Sequence, residues 1–233
     1  MLEIQKLKAG YGEAMVLNDF TFTLPKGQIT ALMGRNGMGK TTLLKAIMGL
    51  IPVKSGQILL KGSPLENLPT YLISKSGIGY VPQGREVFDD FSVYENLRLA
   101  ALGSSIKNLS LLPQIYDWFP ILHERRNQKA GTFSGGQQQI LAMARALMTR
   151  PEVLLLDEPT EGIQPNIVHE IGLKLSQIAE ETELTILLVE QNVHMVKTMA
   201  EEILFMENGR LMASCSMAEL NQDDALLHRY LTI

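Results

Sequence analysis

The stretch Gly34-Arg35-Asn36-Gly37-Met38-Gly39-Lys40-Thr41 decides the fold of this 233-residue chain. It matches the phosphate-loop pattern G-x-x-x-x-G-K-[ST] at every fixed position. Residues 28–33 before it form a short apolar run that predicts a strand, and residues 42–48 after it predict a helix. Glycines let successive N–H groups point at an anion, and a helix N-terminus adds about half a positive charge. The stretch therefore predicts an α/β fold that binds a nucleoside triphosphate.

A pair of carboxylates supplies the second half of this expected chemistry. Asp157 and Glu158 follow the aliphatic run at residues 153–156, which predicts a strand buried on both faces. In phosphate-loop enzymes such an Asp helps a loop hydroxyl, here that of Thr41, to hold Mg²⁺, while the loop Lys reaches the β- and γ-phosphates. A second carboxylate can orient or deprotonate the attacking water. An acidic pair alone is more often a solvated strand end, but the phosphate loop in the same chain favours a shared site.

Composition restricts the class of protein. The 45% hydrophobic and 20% charged residues are ordinary for a globular protein, and the length suits one large α/β domain with a modest insertion. A net charge of −4 argues against nucleic acid as the main partner. The one cysteine, Cys215, fits a reducing compartment. No stretch approaches about 18 consecutive apolar residues, so that a role at a membrane would require a partner.

The remaining patterns place a helical segment inside an α/β chain. Helical spacing replaces strand signals from Ser92, which forms a predicted capping box with Glu95. We predict a single domain over residues 1–233 with a mainly parallel core sheet and an N-terminal antiparallel β region. The α/β core is assigned to residues 1–91 and 151–233, and the α-helical insertion to residues 92–150. Strands are predicted at 2–8, 20–24, 55–62, 78–82 and 185–189, a hairpin at 203–213, and helices at 135–150, 166–180, 193–200 and 218–231.

A second glycine-rich stretch, Phe133-Ser134-Gly135-Gly136-Gln137, precedes a predicted helix and offers a second anion site. A single active site would not obviously need two phosphate cradles. Here the sequence resembles the ATP-binding-cassette ATPases, whose signature motif usually begins with Leu where this chain has Phe133. The order of motifs also resembles that family over essentially the whole chain: aromatic loop, phosphate loop, glutamine loop, helical insertion, signature, acidic strand end and last polar loop.

The resemblance implies ATP and Mg²⁺ as ligands and a role for each matching residue. Tyr11 would stack on adenine, although the residues alone fit a surface aromatic equally well. Asp157 would support Mg²⁺ together with Thr41, and Glu158 would activate water. Gln83 would sense Mg²⁺ and the γ-phosphate and couple to a membrane subunit. The phosphate-binding residues would be Gly34, Arg35, Asn36, Gly37, Met38, Gly39, Lys40, Thr41 and Thr42, and those facing the ATP of an opposite subunit would be Ser134, Gly135, Gly136 and Gln137.

The resemblance also implies partners. These are a second cassette in a head-to-tail pair with two ATP at the interface, two membrane-spanning permease subunits, and indirectly a substrate-binding protein, with no nucleic acid. The chain would then be peripheral, held by the permease subunits at the cytoplasmic face of the inner or plasma membrane. Closure of the pair on ATP would move the membrane helices, and hydrolysis would reset it.

Two positions depart from the family pattern. Glu190-Gln191-Asn192 stands where the family usually has a switch histidine in a Thr-His-Asp context. Gln191 can hydrogen-bond the γ-phosphate but cannot exchange a proton, and His194 is predicted to lie on a helix surface. Gln164 replaces the usual Asp after the catalytic Glu, for which a partner cassette with complementary loops would be one solution.

These departures indicate a subgroup. Val189-Glu190-Gln191-Asn192 and Gln83-Gly84-Arg85-Glu86-Val87-Phe88 are similar to the importer cassettes for branched-chain amino acids and their urea and amide relatives. Glu161-Gly162-Ile163-Gln164-Pro165 and Gly34-Arg35-Asn36-Gly37 favour the urea branch. We therefore predict an ATP-hydrolysing subunit that energises an importer of small polar solutes. The alternative is a soluble cassette ATPase, such as a translation or DNA-maintenance factor, whereas a phosphate-loop kinase or small GTPase leaves residues 134–137 unexplained.

Overall fold

A computed structural model describes residues 1–103, 109–222 and 225–231. One sheet is antiparallel, with four strands in the order β2-β1-β4-β5. The other has six strands in the order β10-β9-β3-β8-β7-β6, and every neighbouring pair is parallel except the hairpin of β9 and β10. The strands are β1 (Leu2–Tyr11), β2 (Ala14–Leu24), β3 (Ile29–Met33), β4 (Val53–Leu60), β5 (Ser63–Pro64), β6 (Ile78–Val81), β7 (Val153–Asp157), β8 (Thr185–Val189), β9 (Glu202–Glu207) and β10 (Arg210–Ser216).

Helices connect and cover these strands. Apart from an isolated bridge between Ser92 and Lys129, the described residues of the segment 92–150 form helices and turns and no strand. The helices are α1 (Lys40–Ile47), α2 (Thr70–Lys75), α3 (Val93–Gly103), α4 (Leu112–Trp118), α5 (Pro120–Glu124), α6 (Gly135–Leu147), α7 (Pro165–Thr182), α8 (Val193–Met199), α9 (Met217–Gln222) and α10 (Ala225–Leu231). Among the described residues, no helix is long and apolar enough to cross a membrane.

The six-stranded sheet separates two hydrophobic cores. Successive side chains of a strand point to opposite faces, and β7 shows the consequence. Leu154 and Leu156 pack in a core with the helices of the insertion, while Val153 and Leu155 pack in a core with α1 and the four-stranded sheet. Burial on both faces explains why β3, β7 and β8 are buried at every residue.

The capping box predicted for the start of the insertion is confirmed. The backbone N–H and the hydroxyl of Ser92 both donate to Glu95 Oε2 at 2.7 Å, and Glu95 N–H donates to Ser92 Oγ at 3.2 Å. A second capping box, between Ser134 and Gln137, begins α6. Each box satisfies two backbone donors that a helix N-terminus leaves free, which fixes where these helices begin.

The N-terminal strands are longer than the sequence predicts. β1 continues to Tyr11, which is therefore a strand end and not a loop residue, and β2 begins at Ala14. Shifts of register between β1 and β2 break the alternation of apolar residues, and Lys6 and Asp19 adopt positive φ angles beside them. The predicted helices 135–150 and 218–231 are also corrected. The first ends at Leu147, and the second region contains α9 and α10, with residues 223–224 outside the described part of the chain.

The turn between β9 and β10 fits against the rest of the molecule. Asn208 and Gly209 both have positive φ, as a two-residue hairpin turn requires. A Cβ at Gly209 would overlap the carbonyl oxygen of Val16, whereas a Cβ at Gly62, in the similar turn between β4 and β5, would meet no atom within 4 Å. The two turns thus differ in the space around the glycine.

Gly209→Ala is expected to lower the free energy of unfolding by about 3 kcal/mol or more, because the clash adds to the backbone strain. Gly62→Ala, with the same left-handed backbone but open space, is expected to cost about 1 kcal/mol. Urea denaturation of the two variants measures the difference. Equal denaturation midpoints would contradict the close contact between Gly209 and the Val16 carbonyl.

Candidate functional site

A cavity of about 330 Å³ lies where the central strands end. It brings together three segments that are distant in sequence: the phosphate loop after β3, the loop after β6, and the loop after β7. In open parallel sheets, ligands bind outside the carboxyl ends of the strands. The residues that line the cavity are Val16, Asn36, Gly37, Gly39, Lys40, Thr41, Thr42, Gln83 and Glu158.

The phosphate loop leaves the N-terminus of α1 open to an anion. Gly39 is the N-cap and has no side chain to accept a bond from the first turn, and that turn contains no acidic residue. Its backbone N–H groups and the helix dipole therefore favour a bound phosphate. Gly34, Arg35 and Met38 belong to the same loop but do not line the cavity.

Lys40 is buried beneath the loop, with 5% of its surface exposed. Its Nζ donates to the carbonyl oxygens of Gly34 at 2.7 Å and Arg35 at 3.0 Å, and lies 3.8 Å from Glu158 Oε1. Burial lowers the pKa of Lys40, against the opposing effects of Glu158, Asp157 and Glu190. The ammonium group is thus held inside the loop, where it can meet the oxygens of a phosphate.

A hydroxyl and a carboxylate meet beside Lys40. Thr41 Oγ1 donates to Asp157 Oδ1 at 3.0 Å, and the phenol of Tyr80 donates to Asp157 Oδ2 at 3.2 Å. Asp157 is fully buried, and burial raises its pKa. Burial together with Asp157 also raises the pKa of Tyr80. Since Mg²⁺ is usually held by one or two protein oxygens plus substrate phosphates and water, this donor pair fits Mg²⁺ bound with a nucleotide.

Glu158 is held from three sides. Its backbone has φ 45° and its N–H donates to Val189 O at 2.9 Å. Its Oε1 accepts a bond from Gln191 Nε2 at 2.8 Å, and the same nitrogen donates to Asn36 Oδ1 at 2.6 Å. A left-handed backbone costs a non-glycine residue about 1–2 kcal/mol, and such strain is commonly found at functional sites. The loops after β3, β7 and β8 therefore meet at this carboxylate.

Gln83 connects two further loops. Its side chain is exposed and donates through Nε2 to Glu161 Oε2 at 2.9 Å. Arg85, two residues later, donates to the carbonyl oxygen of Glu161 at 3.3 Å and to Gln138 Oε1 of α6 at 3.4 Å. The loop after β6 is thus bonded both to the loop after β7 and to the helical insertion.

The remaining predicted residues lie outside the cavity. Ser134 and Gln137 bond to each other, with Gln137 N–H donating to Ser134 Oγ at 3.4 Å and Ser134 N–H to Gln137 Oε1 at 3.1 Å. None of the residues 134–137 lines the cavity, and neither does Tyr11, which is 49% exposed at the end of β1. His194 is exposed in the first turn of α8, as predicted, and its ring lies 5.3 Å from that of His169.

Three residues near the site were not singled out from the sequence. Glu190 ends an aliphatic strand just as Asp157 does, and that signal could have found it. Tyr80 lies within a short strand and Arg85 within a polar loop, where no pattern distinguishes them. Their roles depend on contacts with residues more than 50 positions away.

Comparisons with known proteins agree with this geometry. Residues 17–161 match the family model described as ABC transporter. The chain is 40% identical over 221 residues to the probable branched-chain amino acid transport ATP-binding protein LivF of Archaeoglobus fulgidus, covering 94% of each chain. It is 38% identical over 232 residues to the high-affinity branched-chain amino acid transport ATP-binding protein BraG of Pseudomonas aeruginosa, covering 99% of each.

A crystal structure of a nucleotide-free ATP-binding cassette from an ABC transporter has the same fold, with a TM-score of 0.86 at 24% identity, and covers 99% of this chain and 98% of its own. The α/β cassette fold expected from the resemblance is therefore confirmed. The chain belongs to the ABC transporter family, as one of its ATP-binding and ATP-hydrolysing subunits.

Proposed function

We propose that the chain energises an importer and that the cavity at the ends of β3, β6 and β7 is its ATPase site. The main support for this assignment is that the side chains of Lys40, Glu158 and Gln191 lie close together. Glu158 Oε1 lies 3.8 Å from Lys40 Nζ and accepts a bond from Gln191 at 2.8 Å. A phosphate-binding cation, a carboxylate and a neutral hydrogen-bonding amide are the groups that phosphoryl transfer to water needs.

Each residue then has one task. Lys40 and the N–H groups of residues 34–42 bind phosphates, and Thr41, Asp157 and Gln83 would hold Mg²⁺. The Mg²⁺ ion, when bound, would neutralise charge on the phosphate oxygens. Glu158 orients the attacking water and accepts its proton, while Gln191 holds Glu158 in place. The second N–H of Gln191 donates to Asn36 Oδ1 in this structure and would turn to the γ-phosphate when ATP is bound.

We further propose that the site is completed by a second cassette. Residues 134–137 begin α6 and lie outside the chain's own cavity. The capping box uses the N–H groups of Ser134 and Gln137 but not those of Gly135 and Gly136. A head-to-tail pair would bring them onto the ATP of the neighbour, where Tyr11 of the binding cassette stacks on adenine. The α6 N-terminus then serves as the second phosphate cradle.

The groove between the core and the insertion is the proposed contact with membrane subunits. It has a volume of about 510 Å³ and lies between α1, α2 and β6 on one side and α3 and α6 on the other. Arg85 lines this groove and also bonds to Glu161. Arg145 of α6 donates to Glu86 O at 2.5 Å and lies 4.6 Å from the Phe88 ring. A permease segment in this groove would therefore press on the loop that carries Gln83.

The solute is proposed from the relatives. Both relatives described above are named as branched-chain amino acid transport proteins, so these amino acids or similar small polar solutes are the proposed cargo. The preference for the urea branch stays a prediction. The same names disfavour a soluble cassette ATPase that acts on ribosomes or DNA. The chain would be peripheral, at the cytoplasmic face of the membrane.

Co-purification from membranes tests this proposal with a matched pair of leucines. Leu50 is 51% exposed and lines the groove, and Leu173 is 53% exposed on α7. Leu50→Glu is expected to reduce recovery of the permease subunits at least about tenfold, because a buried unpaired carboxylate is costly. Leu173→Glu should retain them.

Equal recovery with both variants would contradict the groove as the contact site for the permease subunits. Recovery of ribosomes or DNA in place of membrane subunits would contradict the assignment of the chain to an importer. Uptake of labelled leucine and urea by the reconstituted complex then identifies the solute. Lys40→Ala is the inactive control for that assay.

A further inference from the structure

Glu190 is a buried carboxylate that has no role in the ATPase site proposed above. It follows β8 directly, is 3% exposed, and does not line the cavity. In the described part of the chain, no Lys or Arg nitrogen lies within 4.0 Å of it. A buried charge is costly unless its oxygens are hydrogen-bonded, so its partners identify what it stabilises.

Both oxygens of Glu190 are hydrogen-bonded, and each accepts two bonds. Oε1 accepts from the N–H of Thr160 at 3.3 Å and from the Thr160 hydroxyl. Oε2 accepts from the N–H of Gln191 at 2.7 Å and from that of Asn192 at 3.2 Å. Three of the four partners are backbone N–H groups, which can only donate, and the fourth is a hydroxyl; a carboxylate oxygen, with two lone pairs, can accept two such bonds.

These bonds join two loops that carry proposed catalytic groups. Thr160 lies two residues after Glu158, in the loop after β7, and Gln191 is the next residue after Glu190 in the loop after β8. The same two loops meet again at Glu158, which lines the cavity, since Gln191 Nε2 donates to Glu158 Oε1 at 2.8 Å. One oxygen of Glu190 therefore bonds to each of the two loops whose functional side chains, Gln191 and Glu158, are in contact.

We propose that Glu190 is a positioning residue for ATP hydrolysis, which fixes the distance between the two loops so that Gln191 and Glu158 stay in contact. This inference rests on the proposed roles of Glu158 and Gln191. It predicts that loss of the carboxylate slows hydrolysis more than it weakens ATP binding, because the hydrogen bonds of the Glu190 side chain join the loops after β7 and β8, whereas Glu190 acts on Lys40 of the phosphate loop only through its charge. The Thr160 hydroxyl should matter for the same reason.

The test measures kcat, KM for ATP, ATP affinity and melting temperature for variants on both sides of the contact. Glu190→Gln turns two acceptor directions into donors, and kcat is expected to fall about tenfold with ATP affinity changed less than about twofold. Thr160→Val, which removes only the hydroxyl, should lower kcat in the same direction. Thr160→Ser, which retains the donor, is expected to recover most of the rate.

A double-variant cycle separates positioning from general stability. In a Gln191→Ala background the effect of Glu190→Gln on kcat should shrink, because the side chain that Glu190 positions is gone. Full additivity would overturn the inference, as would an unchanged kcat or losses confined to ATP affinity and melting temperature. If Glu190→Gln does not fold, the Thr160 pair decides by the same criteria.

Glu158→Gln, measured in the same series, separates this inference from the proposed function. Turnover that survives in that variant would contradict the proposed role of Glu158 in activating water, on which this inference rests. A Glu190→Gln variant as fast as the wild type, beside an inactive Glu158→Gln, would overturn only the positioning role.

Discussion

Replacement of Glu158 by Gln is expected to abolish nearly all ATP hydrolysis while ATP binding remains. The amide has the shape of the carboxylate but cannot accept the proton of the attacking water, and general-base catalysis contributes about 10²–10⁴-fold. The phosphate-binding groups, Lys40 and the N-terminus of α1, are unchanged by this substitution. The measurements are the hydrolysis rate at saturating ATP and the affinity for ATP.

The same variant should also accumulate as an ATP-bound pair of cassettes, because the step that would separate them is blocked. Size-exclusion chromatography with and without ATP detects this state. Glu170→Gln, at an exposed carboxylate of α7, is the matched control and should hydrolyse ATP at the normal rate. An unchanged hydrolysis rate in Glu158→Gln would contradict the role of Glu158 in activating water.

Lys40→Ala is expected to cause a larger loss than Gln191→Ala. Lys40 Nζ bonds to two carbonyl oxygens of the phosphate loop, so that its removal takes away both a positive charge and an internal support of the loop. Gln191 carries no charge, and of its two hydrogen bonds, to Asn36 and to Glu158, only the second involves a charged partner. Hydrogen bonds that involve a charge are about twice as strong as neutral ones.

The two losses should also differ in kind. Lys40→Ala should eliminate measurable ATP binding, whereas Gln191→Ala should lower kcat by about 10–100-fold with ATP affinity largely retained. Titration with a fluorescent ATP analogue and steady-state kinetics separate the two effects. Gln177→Ala, which removes an exposed amide on α7, is the control for Gln191. A larger loss of affinity in Gln191→Ala than in Lys40→Ala would contradict this order.

Local patterns in the sequence identified the parts of the fold that depend on neighbouring residues. The phosphate loop with its strand and helix, the aliphatic strands β7 and β8, and the capping box at Ser92 were all predicted because each is encoded within a few residues. The carboxyl ends of β3 and β7, which lie on either side of β8, meet at one cavity because the parallel strands of a sheet end at a common edge.

The features that were not predicted depend on contacts between distant parts of the chain. The first half of β2 lacks alternation because its pairing with β1 is shifted, and only the pairing itself defines it as a strand. The proposed role of Glu190 depends on its contact with Thr160, which lies 30 residues away in sequence. Arg85 joins its loop to Glu161 and Gln138 by hydrogen bonds, and no pattern in the sequence of that loop predicts these bonds.

The turn at Asn208 and Gly209 has a consequence for the order in which the protein is made. Gly209 N–H donates to Met38 O at 2.9 Å, Asn208 N–H to Met38 Sδ at 3.3 Å, and Gly209 O accepts from Asn18 N–H at 3.0 Å. The phosphate loop therefore rests on a turn that leaves the ribosome some 170 residues after it. Domains generally fold as units during synthesis. A growing chain that has completed its phosphate loop thus still lacks the support of that loop, and we expect it to bind a nucleotide only after residues 208–209 have been made.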